Sequence, residues 1–256
     1  MKGRKIGVVV ECMRLDIREG IKKAAELGAD GIQVYVTGGD LAPEALSRSG
    51  RRELKKFVAD HGLEFSALCA DYGKGFTNPN LNDELVEKTK ACMDLALDLG
   101  TRVVTTHIGT LRSEDEPGWK AAHEALSELA AYGDSRGVLV ASETGPESAE
   151  VLLRFLQGVK GASVGVNYDP ANLVRNGYDA IGGVGILRDY IWHTHAKDAT
   201  RKDSREVPLG EGDVDVPRWV AALDEIGYRG YLTIERESGD DPVGDISRAI
   251  RMLRAL

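Results

Sequence analysis

Short apolar runs and longer amphipathic segments alternate along the whole chain. The apolar runs are rich in β-branched residues and predict eight strands, over residues 6–10, 31–35, 64–70, 103–107, 138–143, 164–169, 190–195 and 231–235. Apolar residues at helical spacing predict helices over residues 16–27, 43–61, 82–99, 119–132, 147–157, 171–187, 216–226 and 241–256. Asp16 is a suitable N-cap for the first of these helices, and Gly28 is a suitable stop.

Strands that alternate with helices predict a parallel sheet with right-handed crossovers. Eight such units in 256 residues fit a closed (β/α)8 barrel, a fold of roughly 250 residues. We therefore predict an α/β protein with a single TIM-barrel domain over residues 1–256, and an open doubly wound sheet is the rival fold. The first strand is followed by Glu11-Cys-Met-Arg, so a glycine-rich dinucleotide-binding turn has no support there.

Composition and charge narrow the class of protein. A hydrophobic content of 42% supports a large core, and the absence of a run of about 18 apolar residues argues against a membrane span. The basic N-terminus leads into a short, soon charged segment, which argues against a signal peptide. Three scattered cysteines indicate reduced thiols and a cytoplasmic protein. The net charge of −8 favours a small-molecule substrate over a nucleic acid.

Four residues that can bind a metal ion stand at the ends of four successive predicted strands. They are Glu143, Asp169, His195 and Glu235. Because the strand ends of a parallel barrel converge on one mouth, we expect these side chains to meet there. Three carboxylates and an imidazole at one place repel each other unless a cation neutralises them. The donor set suits one divalent metal ion, Mn²⁺, Mg²⁺, Zn²⁺ or Co²⁺.

Other polar residues near the predicted strand ends are candidates for binding substrate. His107 ends the fourth strand, and Lys197 and Arg201 follow the seventh. A cation at the barrel mouth can hold a sugar oxygen or a phosphate or stabilise an enediolate, although each of these charges also fits a solvated loop. Glu11 ends the first strand and faces the site from the far side. His193 fits either a second metal ligand or a structural residue of the sheet.

Several motifs together identify a family resemblance. They are HTHAKD at residues 193–198, PLGEGDVD at 208–215, GYRGYLTIERE at 227–237, THIG at 106–109 and NYDPANL at 167–173. The chain resembles the sugar phosphate isomerase/epimerase superfamily, the xylose isomerase-like TIM barrels. The resemblance implies a single divalent-metal site at the four ligands named above. It also implies that Glu143 and Glu235 exchange the substrate proton on opposite faces of a ketose, while the metal stabilises the enediolate.

Two departures from family patterns refine this expectation. Ketose epimerases of the group often carry a histidine three residues after the sixth-strand aspartate, where it contacts substrate, and this chain has Asn172. An amide donates a hydrogen bond but carries no proton at neutral pH. Arg201 does match an arginine that follows the metal histidine in many of those enzymes. The extra metal ligands of the family's endonuclease branch are missing, which argues against a nucleic-acid substrate.

We expect a divalent-metal-dependent isomerase or epimerase of a sugar or sugar derivative, with manganese among the suitable metals. The first alternative is a dehydratase of a keto-inositol or related keto-polyol, in which Lys197 or His107 protonates the leaving hydroxyl. The second alternative is a non-catalytic sugar-binding protein or accessory subunit. No membrane partner is expected, and a homo-oligomer stays open because barrels of this group commonly pair.

Overall fold

Eight parallel strands close into a barrel, which confirms the predicted fold class. The computed structural model describes residues 3–111 and 113–256. The strands are β1 Lys5–Val9, β2 Gly31–Tyr35, β3 Glu64–Cys69, β4 Val103–Thr106, β5 Leu139–Glu143, β6 Val164–Tyr168, β7 Ile191–Ala196 and β8 Tyr231–Ile234. Each strand pairs with its neighbour in the sequence, and β8 pairs with β1 from Lys5↔Tyr231 to Val8↔Ile234. This closure brings the carboxyl ends of all eight strands to one rim.

The helices pack around the outside of this barrel. They are α1 Ile17–Glu26, α2 Arg48–Asp60, α3 Pro79–Leu99, α4 Pro117–Arg136, α5 Ala149–Gly158, α6 Pro170–Arg175, α7 Gly182–Ile186, α8 Val216–Glu225 and α9 Pro242–Ala255. The predicted cap of α1 is observed, since the Asp16 side chain accepts a hydrogen bond from the Arg18 amide. Within the described ranges, no helix combines the length and the apolar character that a membrane crossing requires.

Several predicted helices differ in their extent from the observed ones, and the fourth is longer at both ends than the predicted residues 119–132. The second starts at Arg48, because the hydroxyl of Ser47 caps it by accepting from the Gly50 amide. The third starts at Pro79, a residue suited to a first helical turn. The single helix predicted over residues 171–187 is two short helices, α6 and α7. Gly177 adopts a left-handed φ of 80° after α6 and ends this helix. The Asp179 side chain then accepts a hydrogen bond from the Ile181 amide just before α7.

A short antiparallel pair in the loop after β7 was not predicted from the sequence. It joins Asp198–Ala199 to Glu206–Val207. Two residues per strand are too few for a periodic pattern to show.

The apolar core lies between the strands and the helices, whereas part of the barrel interior is polar. Trp219, Phe155 and Leu126 are among the fully buried side chains of the helix layer. Gln33 of β2 and Asn167 of β6 are buried polar residues within otherwise apolar strands, and their side-chain amides hydrogen-bond to other barrel strands. These polar side chains form a layer inside the barrel, just below the rim where the strands end.

Candidate active site

The structure brings together the four residues that the sequence predicts as metal ligands. Each of Glu143, Asp169, His195 and Glu235 offers one donor atom, and these atoms all lie within 4.8 Å of one another. All four side chains are buried. They come from β5, the residue after β6, β7 and the residue after β8, so half of the barrel rim supplies the whole set.

The hydrogen bonding of Asp169 is the clearest indication that this cluster fits a cation. One carboxylate oxygen, Oδ1, caps α6 by accepting from the amides of Ala171 at 2.8 Å and Asn172 at 3.3 Å. The other oxygen, Oδ2, is buried without a hydrogen-bond partner. Burial raises the pKa of Asp169 to about 7, although the charge of Lys197 opposes the shift. A buried, unpartnered carboxylate oxygen among further carboxylates and an imidazole is a suitable ligand for a divalent metal.

Two amide side chains orient Glu143. Asn172 donates to Oε1 at 2.9 Å, and Asn167 donates to Oε2 at 3.2 Å. Oε2 also lies 3.3 Å from Nδ1 of His195. Burial raises the pKa of Glu143, but the charges of His195 and His107 and the hydrogen bond from His195 together outweigh it and hold the pKa below its usual value. Glu143 is therefore a carboxylate with a fixed orientation at neutral pH.

Glu235 is paired with a buried lysine. The ammonium of Lys197 lies 2.7 Å from Oε2 of Glu235 and also contacts Glu237. Burial alone raises the pKa of Glu235, but the charges of His195 and Lys197 outweigh it and lower this pKa. Burial lowers the pKa of Lys197, but the surrounding carboxylates, Glu235 first, outweigh it and raise that pKa. Lys197 is thus held beside the predicted metal ligand Glu235 rather than in solvent.

A glutamine from the opposite wall orients His195. Nε2 of His195 lies 3.2 Å from Oε1 of Gln33, a residue of β2. An amide oxygen only accepts, so this contact places a proton on Nε2 and leaves Nδ1 facing the carboxylates of Glu143 and Glu235. The neighbouring His193 is structural: Nδ1 contacts Asn167 at 2.9 Å and Nε2 contacts Thr233 at 3.0 Å.

A cavity of about 220 Å³ opens above the cluster. Its lining residues are Tyr35, Cys69, Asp71, Thr105, Thr106, His107, Glu143, Asn172, Arg175, His195, Lys197, Glu235 and Glu237. This volume is below the roughly 300–1,000 Å³ of typical ligand pockets, so it suits a single small molecule. Three of the four candidate metal ligands, Glu143, His195 and Glu235, line one side of the cavity, and residues from the ends of β2, β3 and β4 line the other.

His107 faces the cluster across this cavity. Its Nδ1 lies 3.0 Å from Oδ2 of Asp71, and its Nε2 lies 3.7 Å from Oε1 of Glu143. Partial removal from water lowers the pKa of His107, but the charge of Glu143 and the hydrogen bond to Asp71 outweigh it and raise the pKa to about 9. His107 therefore presents a proton to the cavity at neutral pH.

Two of the predicted substrate-binding residues are not part of the cavity. Arg201 hydrogen-bonds through its guanidinium to the carbonyl of Tyr178 at 3.3 Å and lies outside the lining. Glu11 belongs to a short 3-10 turn beyond β1, where it accepts from the Tyr35 amide at 2.9 Å. Both side chains instead hold loops in place. The arginine that does line the cavity is Arg175.

Asp198 fixes the loop that carries the Gly-Glu-Gly motif. Its carboxylate accepts hydrogen bonds from four backbone amides, those of Ala199, Gly210, Gly212 and Val214, at 2.8 to 3.0 Å. Because Asp198 directly follows Lys197, this anchored loop also fixes the position of the lysine. The glycines are required at this point, since a Cβ on Gly212 would lie 2.2 Å from Oδ1 of Asp198.

The site contains several residues that the sequence analysis did not predict, among them Gln33, Asp71, Asn167 and Arg175. Asn167 stands two residues before Asp169 on the same strand, so a period-two pattern could have found it. Asp71 follows a strand end closely, which is the signal that found the metal ligands. Nothing in the local sequence distinguishes Gln33 or Arg175 from other polar residues.

Comparison with known proteins places this geometry in context. Residues 21–256 match the family described as xylose isomerase-like TIM barrel. Fructoselysine 3-epimerase of Escherichia coli O157:H7 is 25% identical over 247 residues, which cover 87% of this chain and 86% of that enzyme. Inosose dehydratase of Clostridium perfringens strain 13 is 24% identical over 158 residues, only 54% of this chain and 53% of that enzyme.

Solved structures agree with the fold. The crystal structure of a xylose isomerase domain protein from Planctomyces limnophilus superposes with a TM-score of 0.86 at 26% sequence identity. The match covers 99% of this chain and 97% of that protein. The similarity therefore extends over the entire barrel.

Proposed function

Because the chain belongs to the xylose isomerase-like TIM barrel family, we propose that it is a divalent-metal-dependent isomerase or epimerase of a sugar or sugar derivative. The observation that carries the proposal is the convergence of four buried donor atoms within 4.8 Å beneath a small cavity. The similarity to fructoselysine 3-epimerase supports the same reaction class.

The proposed chemistry uses Glu143, Asp169, His195 and Glu235 as ligands and two of them as proton carriers. A bound divalent ion (Mn²⁺, Mg²⁺, Zn²⁺ or Co²⁺) supplies Lewis acidity toward the substrate oxygens, which makes the neighbouring C–H acidic enough to be removed. Either Glu143 or Glu235 accepts that proton as a carboxylate, and the other glutamate, after taking up a proton from solvent, returns it as a carboxylic acid to the same carbon or its neighbour. Asn172 keeps Glu143 in position, and Lys197 does the same for Glu235.

His107 and the remaining cavity wall bind and orient the sugar. The protonated imidazole donates a hydrogen bond to a substrate oxygen as charge develops there. Asp71 holds the ring in this direction through its 3.0 Å contact with Nδ1. The cavity volume of about 220 Å³ favours a monosaccharide derivative and is too small for a nucleic-acid chain.

The test is solvent proton exchange by the Glu143→Gln and Glu235→Gln variants. Glutamine keeps the shape of the side chain but accepts no proton, so each variant should lose at least about 1,000-fold of the rate at which ketoses incorporate deuterium. Glu225→Gln, an exposed residue of α8, is the matched control and should retain the wild-type rate. Exchange at the wild-type rate in both active-site variants would falsify the mechanism.

One observation favours a dehydratase as the second candidate. His107 stands in the cavity with a pKa raised to about 9 by Glu143 and Asp71, so it can protonate a leaving hydroxyl. A carboxylate then removes the proton from the carbon next to the carbonyl, and the C–O bond of the adjacent carbon breaks to release water. The similarity to inosose dehydratase covers only part of the chain. Mass analysis separates the two reactions, because a dehydratase product is lighter by one water.

We further propose a cytoplasmic location and manganese as the first metal to try. The location is supported by Cys12, Cys69 and Cys92, which are all buried free thiols. Manganese accepts both carboxylate and imidazole donors, and elemental analysis of freshly purified protein tests this assignment. A sensor or accessory subunit without metal is disfavoured, because the buried cluster of acidic side chains is costly without a cation.

A further inference from the structure

The cavity contains one cation that the protein itself does not neutralise. Among the described residues, the other charged side chains of the lining all have a partner of opposite charge. The pairs are Asp71–His107, Glu143–His195, Glu235–Lys197 and Glu237–Lys197. Arg175 forms no ion pair or side-chain hydrogen bond with any described residue, and its Nε is buried without a partner.

Arg175 is held firmly in this position. It ends α6, the helix that begins beside Asp169, and both Arg175 and Asn172 of this helix line the cavity. The carbonyl of Arg175 accepts from the Ser204 hydroxyl at 3.3 Å. A second contact, from the Arg201 guanidinium to the Tyr178 carbonyl, holds the segment that follows α6. The guanidinium therefore projects from a fixed backbone.

An arginine of this kind is suited to bind an anion. A partly buried guanidinium without a partner is costly, and its planar fork matches the two oxygens of a carboxylate or phosphate. Arg175 follows Asp169 by six residues, a rise of about 9 Å along a helix. It is therefore placed to reach the end of the ligand that is remote from the reacting carbons.

We propose that the substrate carries an anionic group, a carboxylate or a phosphate ester, at the end remote from its carbonyl, and that Arg175 binds this group. This proposal rests on the proposed function only for the position of the reacting carbonyl end of the substrate. The binding of the anionic end by Arg175 is a separate claim. Arg175 is thus the residue that selects acidic sugar derivatives over neutral sugars.

Binding of unreactive analogues tests the proposal independently of catalysis. Pentitols and hexitols have no carbonyl and cannot exchange a proton, so their affinity does not depend on the reaction. Calorimetric titration compares each neutral polyol with its terminal phosphate ester and its terminal carboxylate, in metal-free and metal-loaded protein. We expect at least one charged series to bind about 10- to 100-fold more tightly than its neutral counterpart, with the same preference in both forms of the protein.

The Arg175→Met variant should remove this preference, and Arg175→Lys should restore part of it. Arg188→Met is the matched control, because Arg188 lies at the opposite end of the barrel beside Tyr190, and it should keep the wild-type preference. The series that binds more tightly identifies the anion as a phosphate or a carboxylate. Equal binding of charged and neutral polyols, or a preference that persists in Arg175→Met, would overturn the proposal without affecting the proposed isomerase activity.

The kinetic consequence can be measured once a substrate is found. For an anionic ketose, Arg175→Met should lower kcat/KM about 100-fold, mostly through KM, because the arginine binds far from the reacting atoms. For the neutral ketose of the same stereochemistry, the variant should stay within about threefold of wild type. A matching loss for both substrates would show that Arg175 binds a hydroxyl group or supports the fold, and the proposal would be wrong.

Discussion

Single side chains in this barrel act through the contacts that orient them. His195 points Nδ1 at the carboxylate cluster because Gln33 holds its Nε2 at 3.2 Å. Glu143 is fixed by Asn172 and Asn167, which donate to different oxygens. Such supporting contacts set the direction and the protonation state of a ligand, and their loss weakens metal binding even when all ligands remain.

Gln33→Leu should therefore lower metal affinity about 10- to 100-fold with little change in fold. Leucine has a similar size but offers no acceptor to Nε2 of His195, so the ring loses its preferred tautomer and orientation. Titration of the metal-free protein with Mn²⁺ measures the change. Gln157→Leu, on the exposed side of α5, is the control; an affinity of Gln33→Leu equal to that of the control would refute the role of Gln33.

Glu147 makes stability depend on pH. The side chain is 5% exposed and its Oε2 has no partner, and burial raises its pKa from 4.5 to about 7. Between these two values the folded state binds more protons than the unfolded state, so the free energy of unfolding falls as the pH rises. Well below pH 4.5 the carboxyl group is neutral in both states and this penalty is absent.

Glu147→Gln should accordingly stabilise the protein only at higher pH. We expect a gain of up to about 3 kcal/mol at pH 8.5 and almost none at pH 4.5, measured by urea unfolding of both proteins at both values. The metal-ligand carboxylates titrate alike in the two proteins and cancel in the comparison. A stability difference that does not vary with pH would contradict the assignment.

At the scale of elements, two loops after neighbouring strands complete the cavity. The α6 segment after β6 contributes Asn172 and Arg175, and the loop after β7 contributes Lys197. Asp198 holds the second loop by accepting four backbone amides, which is a denser anchor than any helix cap in the described chain. The precision of the site therefore depends on the geometry of this loop.

Gly212→Ala should disrupt that loop. A Cβ at this position would lie 2.2 Å from Oδ1 of Asp198 and 2.7 Å from the carbonyl of Ala199, so the anchor has to move. We expect a loss of about 2–4 kcal/mol in unfolding free energy as buried amides lose their acceptor, together with faster hydrogen exchange of the loop amides.

Gly185→Ala is the matched control for this change. No atom lies within 4 Å of its Cβ position, and alanine at this helical site should stabilise α7 by about 0.5–1 kcal/mol. Equal stability of the two variants would show that the loop absorbs a Cβ at residue 212 without losing its anchor.

For the whole molecule, barrel closure concentrates charge from distant parts of the chain. Glu143, Asp169 and Glu235 come from three strand ends and gather in a buried place. A cation that binds only the folded state should stabilise the protein by mass action. Stability, and not only activity, should therefore depend on metal.

Saturation with the native metal at about 100 times its Kd should raise the unfolding free energy by about 2.7 kcal/mol, and a chelator should reverse the gain. For a chain of this size the shift corresponds to about 5–10 °C in Tm. Asp169→Asn is an informative variant, because asparagine still caps α6 but lacks the second anionic oxygen. It should fold and show no metal-dependent shift; a full shift in this variant would argue against Asp169 as a ligand.

The sequence by itself determined the barrel and the position of the cluster of candidate metal ligands. The patterns that predict strands and helices are local in the sequence. Eight strand–helix units in succession are compatible with few topologies, and in a closed barrel the residues at successive strand ends converge. Glu143 and Glu235 could be selected for this reason without coordinates. Their roles as proton carriers stay a prediction.

Only the tertiary structure decided which other residues surround the cluster. Gln33 and His195 are 162 residues apart in the sequence and meet across the barrel, so no local pattern relates them. Long-range packing also decided which arginine lines the cavity. The guanidinium of Arg201 turns to a backbone carbonyl, whereas Arg175 at the end of α6 lies in the cavity with its Nε unpartnered. Loop side chains take their direction from long-range packing, and this information is absent from the spacing of residues along the chain.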